Sequence, residues 1–161
     1  MFIADALLGN FDRHNGNWGI LVDEQSKTAE IAPAYDCGSC LYPQLVLNSE
    51  DEIDRRVYVF PASSIEEDGK KISYFEFISS LKNPDCTAAL QRVSSRIEME
   101  KISTIINETP TLLPVQKEFY TALISERKAK IIDYSMEQLM KLDGQKPEQG
   151  ELQSRVQQNN M

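Results

Sequence analysis

From Ile72 to Leu142 the chain repeats apolar residues at intervals of three and four, a period that helices packed on one another bury. This stretch makes the fold mostly α. Tyr74, Phe75, Ile78 and Leu81 mark one helical face, and Asn83-Pro84 reads as the cap and first turn of the next helix. Leu90, Val93 and Ile97 mark a further face, and Ile102, Ile105 and Ile106 another. Beyond Pro110 and Pro114 a long final helix is predicted from Val115 to Leu142, with Phe119, Ala122, Ala129, Ile132, Met136 and Leu139 as its core stripe. After Asp143-Gly144 the sequence turns Gln-rich and nearly free of apolar residues, so 143–161 is expected to be a flexible tail and 1–142 the folded unit.

The first third is different. Phe2, Ile3, Ala6 and Leu7 have helical spacing and meet the breaker pair Gly9-Asn10, as at the end of a helix. Trp18 to Val22 and Ala29 to Ala32 are short apolar runs on either side of a polar connector, which predicts a small β-hairpin; the class is therefore α+β. Residues 37–70 read as a long irregular connection with one strand at Val57 to Phe60. A length of 161 residues suits one domain. A net charge of −8 disfavours non-specific attraction to nucleic acid or to an anionic membrane. No basic leader or membrane-length apolar run is present, and three cysteines make an odd number, which together predict a cytoplasmic chain without a disulfide framework.

Chemistry concentrates in Leu8-Gly9-Asn10-Phe11-Asp12-Arg13-His14-Asn15-Gly16-Asn17 and, after the hairpin, in Tyr35-Asp36-Cys37-Gly38. Paired positions of an antiparallel hairpin share a constant sum of residue numbers. Asn17 and Asp36 sum to 53, which centres the turn between Ser26 and Lys27, inside the polar connector. The two strands then return Asp36 to the side of Asn17, where an amide oxygen and a carboxylate meet one hard cation. Two protein ligands are too few for a Ca²⁺ cage and suit Mg²⁺, which keeps waters and takes substrate phosphates. Spacing alone is weak, because Asp5 and Asn10 fit the same Asp-x-x-x-x-Asn pattern.

With Arg13-His14 beside Asp12, and with Pro33-Ala34-Tyr35-Asp36 downstream, these segments resemble the catalytic and metal-binding loops of HipA-like serine/threonine kinases, including the CtkA-type branch. The Asp-Arg-His-x-x-Asn order is also similar to the catalytic loop of phosphatidylinositol-kinase-type enzymes. The resemblance implies a kinase carboxy-terminal lobe and Mg²⁺-dependent transfer of the ATP γ-phosphoryl to a protein hydroxyl. In that reading Asp12 orients or deprotonates the hydroxyl, His14 braces the loop or acts as a base, and Asn17 and Asp36 hold Mg²⁺ on ATP. A toxin–antitoxin setting, a protein substrate and an antitoxin partner belong to the same implication.

Such an enzyme also needs a phosphate-covering glycine-rich loop and a strand lysine, both before the catalytic loop. Only eleven residues precede Asp12, and the seven glycines contain no Gly-x-Gly. The expectation is a carboxy-terminal lobe whose nucleotide-binding lobe is absent or supplied by another polypeptide, with weak or no activity alone. The alternative is a non-catalytic pseudokinase or interaction module. A third reading rests on Cys37-Gly38-Ser39-Cys40, a Cys-x-x-Cys that elsewhere marks redox pairs or half of a zinc site. A zinc set would have to be Cys37, Cys40, Cys86 and His14. A catalytic redox pair would want a helix behind the first thiol, which residues 41–47 do not suggest.

Overall fold

The computed structural model describes residues 1–42 and 62–144. In chain order, helix α1 (Phe2–Leu8) leads into a polar loop and a hairpin of β1 (Ile20–Asp23) and β2 (Thr28–Ile31). A second hairpin, β3 (Ala62–Glu67) and β4 (Lys70–Ser73), opens directly into α2 (Tyr74–Ser79). Helices α3 (Pro84–Ser94), α4 (Met99–Glu108) and α5 (Pro114–Arg127) follow, then a π-helical segment (Lys128–Asp133) and α6 (Tyr134–Gly144). The chain is mostly helical with small antiparallel hairpins, as the apolar periods require. The strand expected at Val57 to Phe60 lies outside the described residues, as does the tail expected at 143–161 except for Asp143 and Gly144, which end the last helix.

Local chemistry accounts for the boundaries. Asn83 Oδ1 accepts from the Cys86 N–H at 2.9 Å and Pro84 opens α3, the cap that the sequence predicts. Ser73 caps α2 in the same way, accepting from Glu76 N–H. Strand β4 occupies 70–73, so the helical region begins at Tyr74 rather than at Ile72. Residues 62–73 are a hairpin where an irregular connection was expected. Its turn, Asp68-Gly69, has both residues at positive φ (52° and 73°), the backbone of a tight hairpin turn that an Asp-Gly pair favours.

The first hairpin has a register two residues away from the expected one. Ile20 pairs with Ile31 and Asp23 with Thr28, so paired numbers sum to 51 and the turn centres between Gln25 and Ser26. The cause is Asp23. Its carboxylate accepts from Gln25 N–H at 2.9 Å and from Ser26 Oγ at 2.7 Å, nucleating the turn early, while Lys27 closes it at φ 56°. The Ser26 hydroxyl, with those amides, holds the Asp23 carboxyl below its ordinary range. A shift of two keeps every side chain on its expected face. Trp18, Ile20, Val22, Ala29 and Ile31 share one face, and all of them are exposed.

The core surrounds α1. Ile3, Ala6 and Leu7 are buried among α2, α3, α5 and the π-helical segment, with Leu90, Leu123, Ile131 and Ile132 fully enclosed. The predicted final helix spans the right residues but is interrupted at 128–133, and its buried set is Phe119, Tyr120, Leu123, Ile124, Arg127, Ile131, Ile132 and Ser135. Ala129, expected in the stripe, is exposed, because the wider π turn rotates the positions around it. Arg127 stands at the centre of this face, 1% exposed, donating from Nη1 to Ala6 O at 2.9 Å and from Nη2 to Tyr42 Oη at 3.1 Å. It serves as a side-chain cap for the end of α1.

Gly9, which ends α1, is constrained twice. Its φ is +70°, and a Cβ there would lie 2.5 Å from Arg127 Nη1. Gly69 has φ +73° and nothing within 4 Å of its notional Cβ. Gly69→Ala is expected to cost about 1 kcal/mol from backbone strain alone, and Gly9→Ala about 3 kcal/mol or more because Arg127 must also move. Urea unfolding of the two variants measures the difference; equal costs would mean that Arg127 does not press on the α1 terminus.

Candidate functional site

The site is built from the end of α1 outward. The Gly9 and Asn10 N–H groups both donate to Asp5 O, turning the chain out of the helix. The side chains of Asp5 and Asn10 are both buried, and Asn10 Nδ2 donates to Asp5 Oδ1 at 3.1 Å. The pair whose spacing duplicates the motif is therefore a structural contact of the site. Asn10 Oδ1 accepts from Asp12 N–H at 3.1 Å, and Asn10 O accepts from the buried Tyr74 hydroxyl at 2.6 Å, tying α2 to the loop. Burial drives the Tyr74 phenol above its usual range, so it stays protonated and donates.

Arg13 organises the rest. Its Nε donates to Asp5 Oδ2 at 3.1 Å and its Nη2 to Asp5 Oδ1 at 2.9 Å, a forked pair in which both side chains are nearly buried. Its Nη1 donates at 2.6 Å to Asn17 O and at 2.6 Å to Tyr35 O. One guanidinium group thus joins the helix end, the loop of residues 12–17 and the segment that returns from the hairpin. The hydrogen bond to Asp5 raises the affinity of Arg13 for its proton further, so the clamp stays charged throughout the range of folding. Tyr35 adds a second tie, its hydroxyl donating to Gly16 O at 3.1 Å.

Asp12, His14 and Asn17 meet on this loop. Asn17 Nδ2 donates to Asp12 O at 2.7 Å, which turns Oδ1 away from that contact, and Oδ1 accepts no hydrogen bond among the described residues. His14 Nδ1 accepts from Gly16 N–H at 3.0 Å, which leaves Nε2 to carry the ring proton, 3.9 Å from Asp12 Oδ1. Asp12 and Asp36 are exposed, and Asp36 follows Tyr35 with φ 53°. The two-residue register shift sets Asn17 opposite Ala34 in the extended pairing, so the return of residues 35 and 36 depends on Arg13 and Tyr35 rather than on the β ladder.

The buried Asn17 amide, whose oxygen accepts no hydrogen bond among the described residues, and the exposed Asp36 carboxylate are hard oxygen donors of the kind that could hold a divalent cation together with waters and phosphates. Among the described residues no three His, Cys, Asp or Glu side chains gather as a metal set, so the zinc arrangement of Cys37, Cys40, Cys86 and His14 is not formed. Cys40 N–H donates to Cys37 O at 3.0 Å in a tight turn, without a helix behind the first thiol. Burial pushes the Cys40 thiol up to about 12. A cleft of about 620 Å³ runs beside the loop, lined by Arg13, His14, Asn15, Trp18, Ser64 and Tyr74 among others, but not by Asp12, Asn17 or Asp36.

Relatives with known structures agree with this architecture. A serine/threonine-protein kinase, CtkA of Helicobacter pylori, is 51% identical over 141 residues, a match covering 83% of this chain and 43% of the kinase. The crystal structure of an H. pylori proinflammatory kinase CtkA superposes with a TM-score of 0.83 at 48% identity, covering 89% of this chain and 55% of that one. The chain is homologous to the carboxy-terminal portion of a CtkA-type kinase. It spans less than half the length of that curated relative. No protein-family profile matches the sequence.

The sequence reading missed Asp5, Asn10, Tyr74 and Arg127 as parts of the site, and it used Arg13 only as a neighbour of Asp12. The forked Asp5–Arg13 pair is the contact whose loss should be felt most. Arg13→Met leaves Asp5 buried beside Asn10 alone and is expected to cost about 3 kcal/mol in urea unfolding, with Asp5→Leu in the same background recovering part of the loss. Full additivity of the two substitutions would mean that the pair is not energetically coupled.

Proposed function

We propose that this chain is the catalytic half of a serine/threonine kinase, contributing the metal- and hydroxyl-binding loops for transfer of the ATP γ-phosphoryl to a protein hydroxyl. The observation that carries this reading is the convergence of Asn17 and Tyr35 on one guanidinium of Arg13, in a chain half identical to a serine/threonine kinase. Asn17 Oδ1 and the Asp36 carboxylate would hold Mg²⁺, which when bound neutralises charge on the transferring phosphate.

Asp12 presents an exposed carboxylate at the turn of the loop and accepts a hydrogen bond from the acceptor hydroxyl, aiming its oxygen at phosphorus. As the new O–P bond forms and the bond to the β-phosphate oxygen breaks, the hydroxyl proton passes to Asp12 and the nucleoside diphosphate leaves. His14 is a positioning residue. Its Nδ1 is occupied by Gly16 N–H, and its Nε2–H faces Asp12, which suits it to orient the carboxylate rather than to remove a proton.

The apolar hairpin face supports the need for a second unit of polypeptide. Ile20, Val22 and Ile31 are 57%, 68% and 72% exposed, and a two-stranded hairpin with an uncovered apolar face is marginal in water. A nucleotide-binding lobe, as part of the same protein or supplied in trans, would cover it, and without such a lobe the chain is weakly active or inactive. An antitoxin-like partner remains within the same proposal. Asp36→Asn is expected to weaken Mg²⁺-dependent ATP binding about tenfold in calorimetric titration, whereas Asp12→Asn leaves binding within about twofold and abolishes transfer once the second lobe is present. Equal Mg²⁺-dependent affinity of the parent and Asp36→Asn proteins would remove the metal assignment.

A further inference from the structure

The loop after Asp36 carries a feature that phosphoryl transfer does not use. Cys40 N–H donates to Cys37 O at 3.0 Å, a four-residue turn that brings the two Cα atoms within the separation a disulfide spans. Cys37 is exposed and Cys40 half-buried. Arg13 Nη2 donates to Cys37 Sγ at 3.8 Å, from the same guanidinium whose Nη1 holds Tyr35 O beside Asp36. Beyond the turn, Leu41 N–H donates to Leu8 O at 2.9 Å and Phe11 stacks on the buried Tyr42, so the far end of the loop is anchored to the end of α1. Cys86 is no part of the group; burial alone raises its thiol, with no other cysteine influencing it.

We propose that Cys37 and Cys40 form a reversible dithiol–disulfide pair that reacts with small peroxides and resets the Asp36 loop. The exposed Cys37 sulfur attacks the peroxide, the O–O bond breaks, and one oxygen stays on sulfur as a sulfenic acid while the other leaves as water, or as an alcohol from an organic peroxide. The Cys40 sulfur then attacks the Cys37 sulfur and expels the oxygen as water. The S–S bond forms, the two thiols have given two electrons and two protons, and a thiol reductant reverses the step by exchange. Joining Cys37 to Cys40 draws its sulfur from Arg13 Nη2 and stiffens the turn next to Asp36. The pair is a switch and not an oxidoreductase centre, since no helix terminus supports the first thiol. Its consequence for nucleotide binding rests on the role proposed above for Asp36.

The test treats the full chain with hydrogen peroxide and reads alkylatable thiols, intact mass and amide exchange. The expected result is a loss of two hydrogens, a fall from three alkylatable cysteines to one, and altered exchange in peptides covering 35–41, all restored by dithiothreitol. Cys86→Ser still forms the bond, while Cys40→Ser stops at the oxygenated Cys37. Three alkylatable thiols after oxidation, a bond to Cys86, or an oxidised protein with unchanged exchange at 35–41 would overturn the proposal. In parallel, Mg²⁺-dependent ATP binding is expected to be about tenfold weaker in the oxidised form. If exchange at 35–41 responds while the reduced and oxidised forms bind Mg²⁺ and ATP equally with the second lobe present, the switch stands and the role proposed for Asp36 falls.

Discussion

The forked pair between Arg13 and the buried Asp5 carboxylate is the interaction on which the site depends. Arg13 leaves α1 only eight residues after Asp5, with Gly9 at positive φ and Asn10 buried between them, so the loop has little freedom to form elsewhere. A guanidinium group held on one side by a carboxylate has donors left in a fixed plane on the other. Those donors take Asn17 O and Tyr35 O. A lysine could neutralise Asp5 but could not hold both carbonyls, which gives a physical reason for arginine beside Asp12. The clamp has a mirror in the core, where Arg127 reaches the end of α1 from the other direction and binds Ala6 O and Tyr42 Oη. The helix terminus that launches the loop is therefore fixed by two arginines, neither of which belongs to an apolar stripe.

That distribution explains how far the fold could be read from the residues. Helices announced by apolar period and caps were legible, Asn83-Pro84 being the clearest case. The final helix was legible in extent but not in its buried face, because counting apolar positions passes over Arg127 and cannot see the π-helical segment that moves Ala129 to the surface. The first hairpin was legible in existence and face. Its register was not, because pairing Asn17 with Asp36 leaves out Asp23, whose carboxylate centres the turn one residue earlier and so shifts each partner by two. The second hairpin had a usable signal in Asp68-Gly69, which was passed over within a stretch read as irregular.

The candidate site was legible as a set of residue types in order, and less so as geometry. Asp12, His14 and Asn17 gather on the loop as their spacing suggests. What brings the second segment to them is a single side chain and the Tyr35 hydroxyl, contacts over 22 and 19 residues that no periodicity encodes. Asp5 illustrates the limit: its match to the motif spacing looked accidental, and it is the carboxylate that holds the clamp. Homology to the carboxy-terminal portion of CtkA places the chain in a known architecture, of which the match covers 43% of the relative's length. The dithiol beside Asp36 adds control to the place where the clamp holds the returning strand.

The central claim is that Arg13 gathers Asn17 and Asp36 into one seat for a divalent ion. Paramagnetic relaxation by Mn²⁺ in the presence of a non-hydrolysable ATP analogue tests it on ¹⁵N-labelled protein. The account predicts that amide signals of Asn17 and of residues 36 and 37 broaden together at the lowest Mn²⁺ additions, and that Arg13→Lys uncouples the second group from the first. Broadening confined to other acidic positions, with residues 17, 36 and 37 unaffected, would contradict it.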